Sequence, residues 1–110
     1  MEQISIGGSD LNEYDLKHIP RNAICVIHNY ETAPYEGSGW ALIKYPEGWD
    51  GENLGHCSCY GPMEHYQKAT KLLTLGEIAQ NMSNEARSQI DPVLIAARKW
   101  EATNGTKQRL

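Results

Sequence analysis

Apolar positions fall into two regimes along the chain. In the first half they form short runs with strand character, and in the second they recur at helical spacing. The run Ala23-Ile24-Cys25-Val26-Ile27-His28-Asn29-Tyr30 is β-branched and apolar on both faces in its first half, as a central strand is. Cys25 within it reads as a small buried hydrophobe. Trp40-Ala41-Leu42-Ile43-Lys44-Tyr45 is a second strand. Between them, residues 31–39 hold Pro34, Gly37 and Gly39 and are expected to form a loop of some length. Residues 46–51 have turn chemistry throughout, and a third strand over about residues 53–59 then completes a hairpin. An antiparallel meander follows from three consecutive strands with such links. Upstream, residues 4–8 read as a short strand ended by two glycines. Ser9 or Asp10 is placed to cap a short helix through Lys17, with Glu13 three residues after Asp10. Leu11, Tyr14 and His18 share its inner face, and Pro20 closes it.

The remainder reads as helix. Thr74-Leu75-Gly76-Glu77 is a capping box, with Leu73 and Ile78 as its hydrophobic staple. Leu75, Ile78, Ala79 and Met82 line one face. From Ala86 the apolar residues Ile90, Val93, Leu94, Ala97 and Trp100 keep helical spacing. Asp91-Pro92 interrupts them. Either Asp91 caps a fresh helix with Pro92 at its first position, or one helix kinks there; a fresh or sharply kinked helix is expected. Asn104-Gly105 is the expected end, followed by a frayed tail. The fold class expected is α+β: a small three- to four-stranded antiparallel sheet with C-terminal helices packed on one face. One domain spans residues 1–110, with a sheet part over about 22–60, a helical part over about 74–104 and a tail over 105–110.

Size and charge narrow the functional classes. A chain of 110 residues has no room for a second core. The net charge of -4 argues against broad phosphate-backbone binding, which needs a basic stripe, so no extended nucleic acid is expected as a partner. No run of about 18 apolar residues is present, so no membrane partner is expected either. The N-terminus lacks a basic region followed by an apolar one, and a cytoplasmic location is expected. Three cysteines, closely spaced and odd in number, argue against a disulfide framework and for reduced thiols.

The chemistry concentrates in residues 54–62, Leu-Gly-His-Cys-Ser-Cys-Tyr-Gly-Pro, and in residues 35–40, Tyr-Glu-Gly-Ser-Gly-Trp. Antiparallel pairing of the second and third strands brings the start of one beside the end of the other, so the two stretches mark one site. Its candidate binding residues are Tyr35, Glu36, Gly37, Ser38 and Gly39 with His56, Ser58 and Tyr60. Cys57, Cys59 and His65 form a zinc-like donor set. Strand alternation, however, turns His56 and Cys57 to opposite faces, and a C-x-C pair is a weaker zinc signal than a C-x2-C knuckle. No cofactor is therefore expected, with zinc as the possible exception. A thiol nucleophile would need a lowered pKa, a base and an oxyanion donor, and no acid is placed to orient a histidine. Cys57 and Cys59 are expected to pack one face structurally while His56, Ser58 and Tyr60 line the other. The Gly37-Ser38-Gly39 loop feeds a strand and not a helix, so it matches no phosphate motif. Tyr35 and Tyr60, in glycine-rich segments, suit contact with a ring or a partner.

Residues 35–41 (Tyr-Glu-Gly-Ser-Gly-Trp-Ala) and 54–62 together resemble a family of small uncharacterised proteins of tailed bacteriophages and prophages. The resemblance covers about residues 30–80, although the 46–51 turn is longer than that pattern has. It assigns no catalytic or binding residues, but it implies a context. Small accessory phage proteins act on the host, some by binding defence proteins and others by sequestering nucleotide signals as oligomers. The expected function is thus a non-catalytic binding protein acting against host defence, capturing a nucleotide-like small molecule as a homo-oligomer. The alternatives are an inhibitor that binds a host defence protein, enzyme or nuclease, a small zinc protein, and a cysteine-dependent enzyme.

Overall fold

A computed structural model describes residues 1–57 and 60–108, with residues 105–108 described by backbone alone. In chain order the elements are β1 (Glu2–Gly8), α1 (Glu13–Leu16), β2 (Cys25–Ala33), β3 (Glu36–Tyr45), β4 (Gly48–Asn53), β5 (His56–Cys57), α2 (Leu75–Asn81) and α3 (Asn84–Gln108). The protein is α+β. Its sheet runs β1-β2-β3-β4, with β5 also paired to β3, and α2 and α3 pack against one face.

β2, β3 and β4 form the expected antiparallel meander, but its third strand is Gly48–Asn53 and ends where the strand expected over residues 53–59 begins; of that expected strand His56 and Cys57 form β5. β1 joins β2 in parallel and makes the sheet mixed. A parallel neighbour needs a crossover of a dozen or more residues, which the segment carrying α1 supplies. Both faces of the sheet are covered, so the first half of β2 is apolar throughout. Cys25, Ile27, Leu42 and Trp49 face Leu75, Ile78, Ile90, Val93, Leu94, Ala97 and Trp100 of the helices. The alternate residues Val26, Tyr30, Ala41, Ile43 and Tyr45 face Leu11, Ile19, Leu54, Met63 and Tyr66.

Residues 31–39 are not a loop. β2 and β3 stay paired out to Ala33 and Glu36, and Pro34 with Tyr35 makes the reversal alone. Proline fixes φ at the first turn position, while Tyr35, at φ 72°, takes the left-handed second position of a type II arrangement. Gly37 and Gly39 therefore lie inside β3. At Gly39 (φ 143°) a Cβ would collide with the Asn29 carbonyl oxygen. The 46–51 segment also contains less turn than its composition suggests. Tyr45 pairs with Gly48, leaving Pro46 and Glu47 as the turn. Trp49 is 1% exposed; burying so large a ring outweighs the turn preference of its neighbours.

The capping box at α2 is present: Thr74 Oγ1 accepts from Glu77 N at 3.1 Å and Glu77 Oε1 accepts from Thr74 N at 3.0 Å. At α1 the cap is Asn12, closed reciprocally by Asp15, and not Ser9 or Asp10. α3 is one helix that passes through Pro92 and on to Gln108. Ile90 and Val93, on either side of the proline, are both fully buried, so packing holds the two halves in line. Asn104 does not stop the helix, because its Nδ2 donates to the Trp100 carbonyl one turn back at 2.9 Å. Glu2 accepts from Trp100 Nε1 and Glu101 from Trp49 Nε1, each at 2.7 Å, tying α3 to both edges of the sheet. Among the described residues no helix is long and apolar enough to cross a membrane.

Candidate functional site

The two unusual stretches meet. β5 pairs antiparallel with the start of β3, setting Cys57 opposite Glu36 and His56 opposite Gly37. His56 Nδ1 lies 2.6 Å from the Cys57 carbonyl oxygen. A carbonyl only accepts, so Nδ1 carries the proton and Nε2 is the acceptor. Tyr30 donates its hydroxyl to that Nε2 at 2.6 Å. Gly37 makes room for this pair: a Cβ there would collide with His56 Nε2 and stand 2.9 Å from the Tyr30 hydroxyl. Tyr30 is 5% exposed, and burial, then the Asp15 charge, raises its phenol above the usual value. The rings continue outward, with centroids 5.8 Å apart from His56 to Tyr60 and 4.8 Å from Tyr60 to His65.

Strand alternation splits the rest of the expected site. Gly37, His56 and Tyr60 lie on the sheet face away from the helices. Ser38, paired with Glu31, faces α3. There Asn29, Glu31, Ser38, Gly39, Ser88 and Gln89 line a cleft of about 200 Å³. Gly7 packs close beside it, where a Cβ would come within 3.1 Å of Asn29 Oδ1. Two amides, two hydroxyls and one carboxylate line this cleft, and among the described residues no lysine, arginine or histidine does. Such a set pairs with hydroxyls, amides and base edges, while Glu31 repels phosphate. Tyr35 is 83% exposed at the hairpin tip, and Glu36 beside it is exposed as well. Ser58 and Cys59 lie outside the described residues.

Cys57 differs from expectation. Cys57 is exposed and disulfide-bonded, so it neither packs a face of the core nor remains a reduced thiol. A disulfide sulfur offers no thiolate to zinc. His65 is exposed with its ring edge-on to Tyr60. Among the described residues no group of three or more His, Cys, Asp and Glu is placed to hold a metal ion. Cys25 is free and buried, and its thiol is pushed up to about 12 by burial and then by the nearby Glu2 charge. At that value it is inert as a nucleophile near neutral pH.

Four residues of the cleft escaped sequence reasoning: Asn29, Glu31, Ser88 and Gln89. Period-two alternation from Ile27 puts Asn29 on the helix-facing side within the strand as read, and Glu31 beside it only if β2 extends into residues read as loop. Tyr30, the partner of His56, was legible as a strand residue and not as part of a site. A further buried polar group is His28, fully inaccessible. Its Nε2 donates to Gln3 Oε1 at 2.9 Å, its Nδ1 has no partner among the described residues, and burial lowers its pKa against a smaller opposing pull from Asp10. Compared with family models, curated proteins and solved structures, the chain matches none of them.

Proposed function

We propose that the chain is a non-catalytic binding protein that captures a small nucleotide-like ligand by its uncharged part, serving a phage against a host defence system. The observation that carries this reading is the lining of the cleft between β2, β3 and α3. The Glu31 carboxylate suits a vicinal diol such as that of a ribose, as acidic residues do in dinucleotide sites. The Asn29 and Gln89 amides each offer a donor and an acceptor to a base edge. Phosphates point outward, away from Glu31. The non-catalytic part is supported by His56, whose ring nitrogens are both engaged, by Tyr30 and by the Cys57 carbonyl. The phage setting rests on the resemblance of residues 35–41 and 54–62 and on nothing in the cleft.

Calorimetric titration with cyclic and ADP-ribose-type nucleotides, each beside its parent nucleoside, tests the reading. The nucleoside is expected to keep most of the affinity, and Glu31→Gln and Asn29→Ala to weaken binding by about tenfold or more, the cost of one or two lost hydrogen bonds. Absence of binding across the panel refutes it.

A further inference from the structure

We propose that the protein self-associates by inserting the β2–β3 hairpin tip of one copy, through Tyr35, into a slot between α2 and α3 of another. Tyr35 holds φ at 72°, a region that disfavours any residue with a Cβ and that glycine or asparagine occupies more readily. Its ring is 83% exposed and makes no ring contact or hydrogen bond among the described residues. The strain is thus accepted for a side chain that stays largely in solvent, and backbone outliers of this kind mark interaction sites. The exposed carboxylate of Glu36 stands beside the tip.

The slot is the chemical complement of that tip. Ala79 of α2 with Leu94 and Ile95 of α3 form an apolar floor, and Arg87, Asp91 and Arg98 surround it, enclosing about 240 Å³. Residues 87, 91, 94, 95 and 98 share one helical face. Ile95 is 55% exposed, one of four exposed large hydrophobics, of which Tyr35 is another. Neither arginine is in an ion pair among the described residues, where the pair found is Lys68–Glu47. A tyrosine ring laid on Leu94 and Ile95 has Asp91 as acceptor for its hydroxyl, and Arg87 and Arg98 stand ready for the Glu36 carboxylate at the tip. The ring and opposite charge of the tip match the floor and rim of the slot, which makes a second copy of this chain the occupant.

Area sets the strength. One inserted aromatic buries about 150–250 Å², far below the roughly 800 Å² per partner of a stable interface. A single insertion is therefore weak. Two reciprocal insertions in a closed pair, or successive ones around a ring, add to each other.

Sedimentation velocity on the intact chain from about 10 to 200 µM spans the dissociation constants such a contact allows. The wild type is expected to shift to a larger species across that range. Tyr35→Gly and the double variant Arg87→Glu/Arg98→Glu are expected to sediment as single chains. Tyr35→Gly should also melt at a higher temperature than the wild type, which separates loss of assembly from loss of fold. An equimolar mixture of the two variants offers one insertion per pair instead of two, so it is expected to associate more weakly than the wild type. A wild type that stays single throughout, a Tyr35→Gly protein that assembles like the wild type, or a mixture that assembles as strongly as the wild type overturns the proposal. So does a single-chain wild type that uses Tyr35 only on a different protein.

Discussion

His28 makes the stability of this protein sensitive to mild acid. The ring is fully buried, bonded through Nε2 to Gln3, and its Nδ1 has no partner among the described residues. Burial holds its pKa below the usual value, with Asp10 opposing. The unfolded chain, with a histidine pKa of about 6.5, then binds a proton that the folded protein refuses. Stability is complete above that value and falls as pH drops from it toward the folded pKa. The loss between pH 7.5 and 5.5 is at most about 1.4 kcal/mol, the limit for a histidine that takes up its proton only in the unfolded chain. The perturbation is His28→Leu, which removes both the titration and the orphaned nitrogen. Gln3 Oε1 keeps a donor in that variant, because Leu11 N lies 3.2 Å away. The lost hydrogen bond and the removed desolvation cost are each about 1 kcal/mol and of opposite sign, so the two proteins should agree within about 1 kcal/mol at pH 7.5. Urea unfolding of both at several values between about pH 7.5 and 5.5 measures the difference, over a window that stays above most carboxylate titration. The wild type is expected to lose up to about 1.4 kcal/mol more than His28→Leu over that range. Equal slopes for the two proteins would falsify the argument that His28 is held neutral by burial.

Three further substitutions test the packing of the sheet. Gly37→Ala should cost about 1–3 kcal/mol in urea unfolding, because the new Cβ displaces His56 from a buried tyrosine hydroxyl. Gly51→Ala, whose Cβ would meet Leu42 Cδ2 at an ordinary 3.7 Å, should change stability by no more than about 0.5 kcal/mol, and equal effects at both sites would refute the steric account. Tyr66→Phe should cost about 1–3 kcal/mol by the same assay. It removes the hydroxyl that donates to Asp50 at 2.8 Å and accepts from the fully buried Tyr45 at 2.6 Å, and a cost near zero would show that Tyr45 finds another acceptor.

Much of the architecture was legible because it rests on local signals. The Thr74–Glu77 capping box, the apolar spacing of Ile90, Val93 and Ala97, and the β-branched run at Ala23 to Tyr30 each act within a few residues. Failures came where tertiary packing overrode a local preference. Trp49 is drawn into β4 by burial although its neighbours favour a turn. Pro92 stays inside α3 because Ile90 and Val93 both face the core. The hairpin closes on Pro34 and Tyr35 because Tyr35 adopts a conformation that its own chemistry disfavours, which no propensity would suggest. For the site, the meeting of Gly37 with His56 was legible from strand order. The cleft was not, because its Ser88 and Gln89 are distant in sequence and carry no motif. The disulfide state of Cys57 was missed because local spacing alone made a thiol the simpler reading.

The hydrogen bond from Trp100 to Glu2 joins residues nearly a chain length apart. β1 has no hairpin partner, and it docks in parallel on β2 only after the intervening crossover is in place. Long-range pairings of this kind form late, because the entropy of closing the loop comes before any contact repays it. During synthesis the meander of β2, β3 and β4 can assemble while β1 waits. The first strand receives its tryptophan partner only after a further 98 residues have been made, at rates of roughly 5–20 residues per second a delay of about 5–20 seconds. Until then Ile4 and Ile6, which pack against the helical core in the finished protein, lack that cover. The beginning of this chain is therefore the last part of the sheet to be secured.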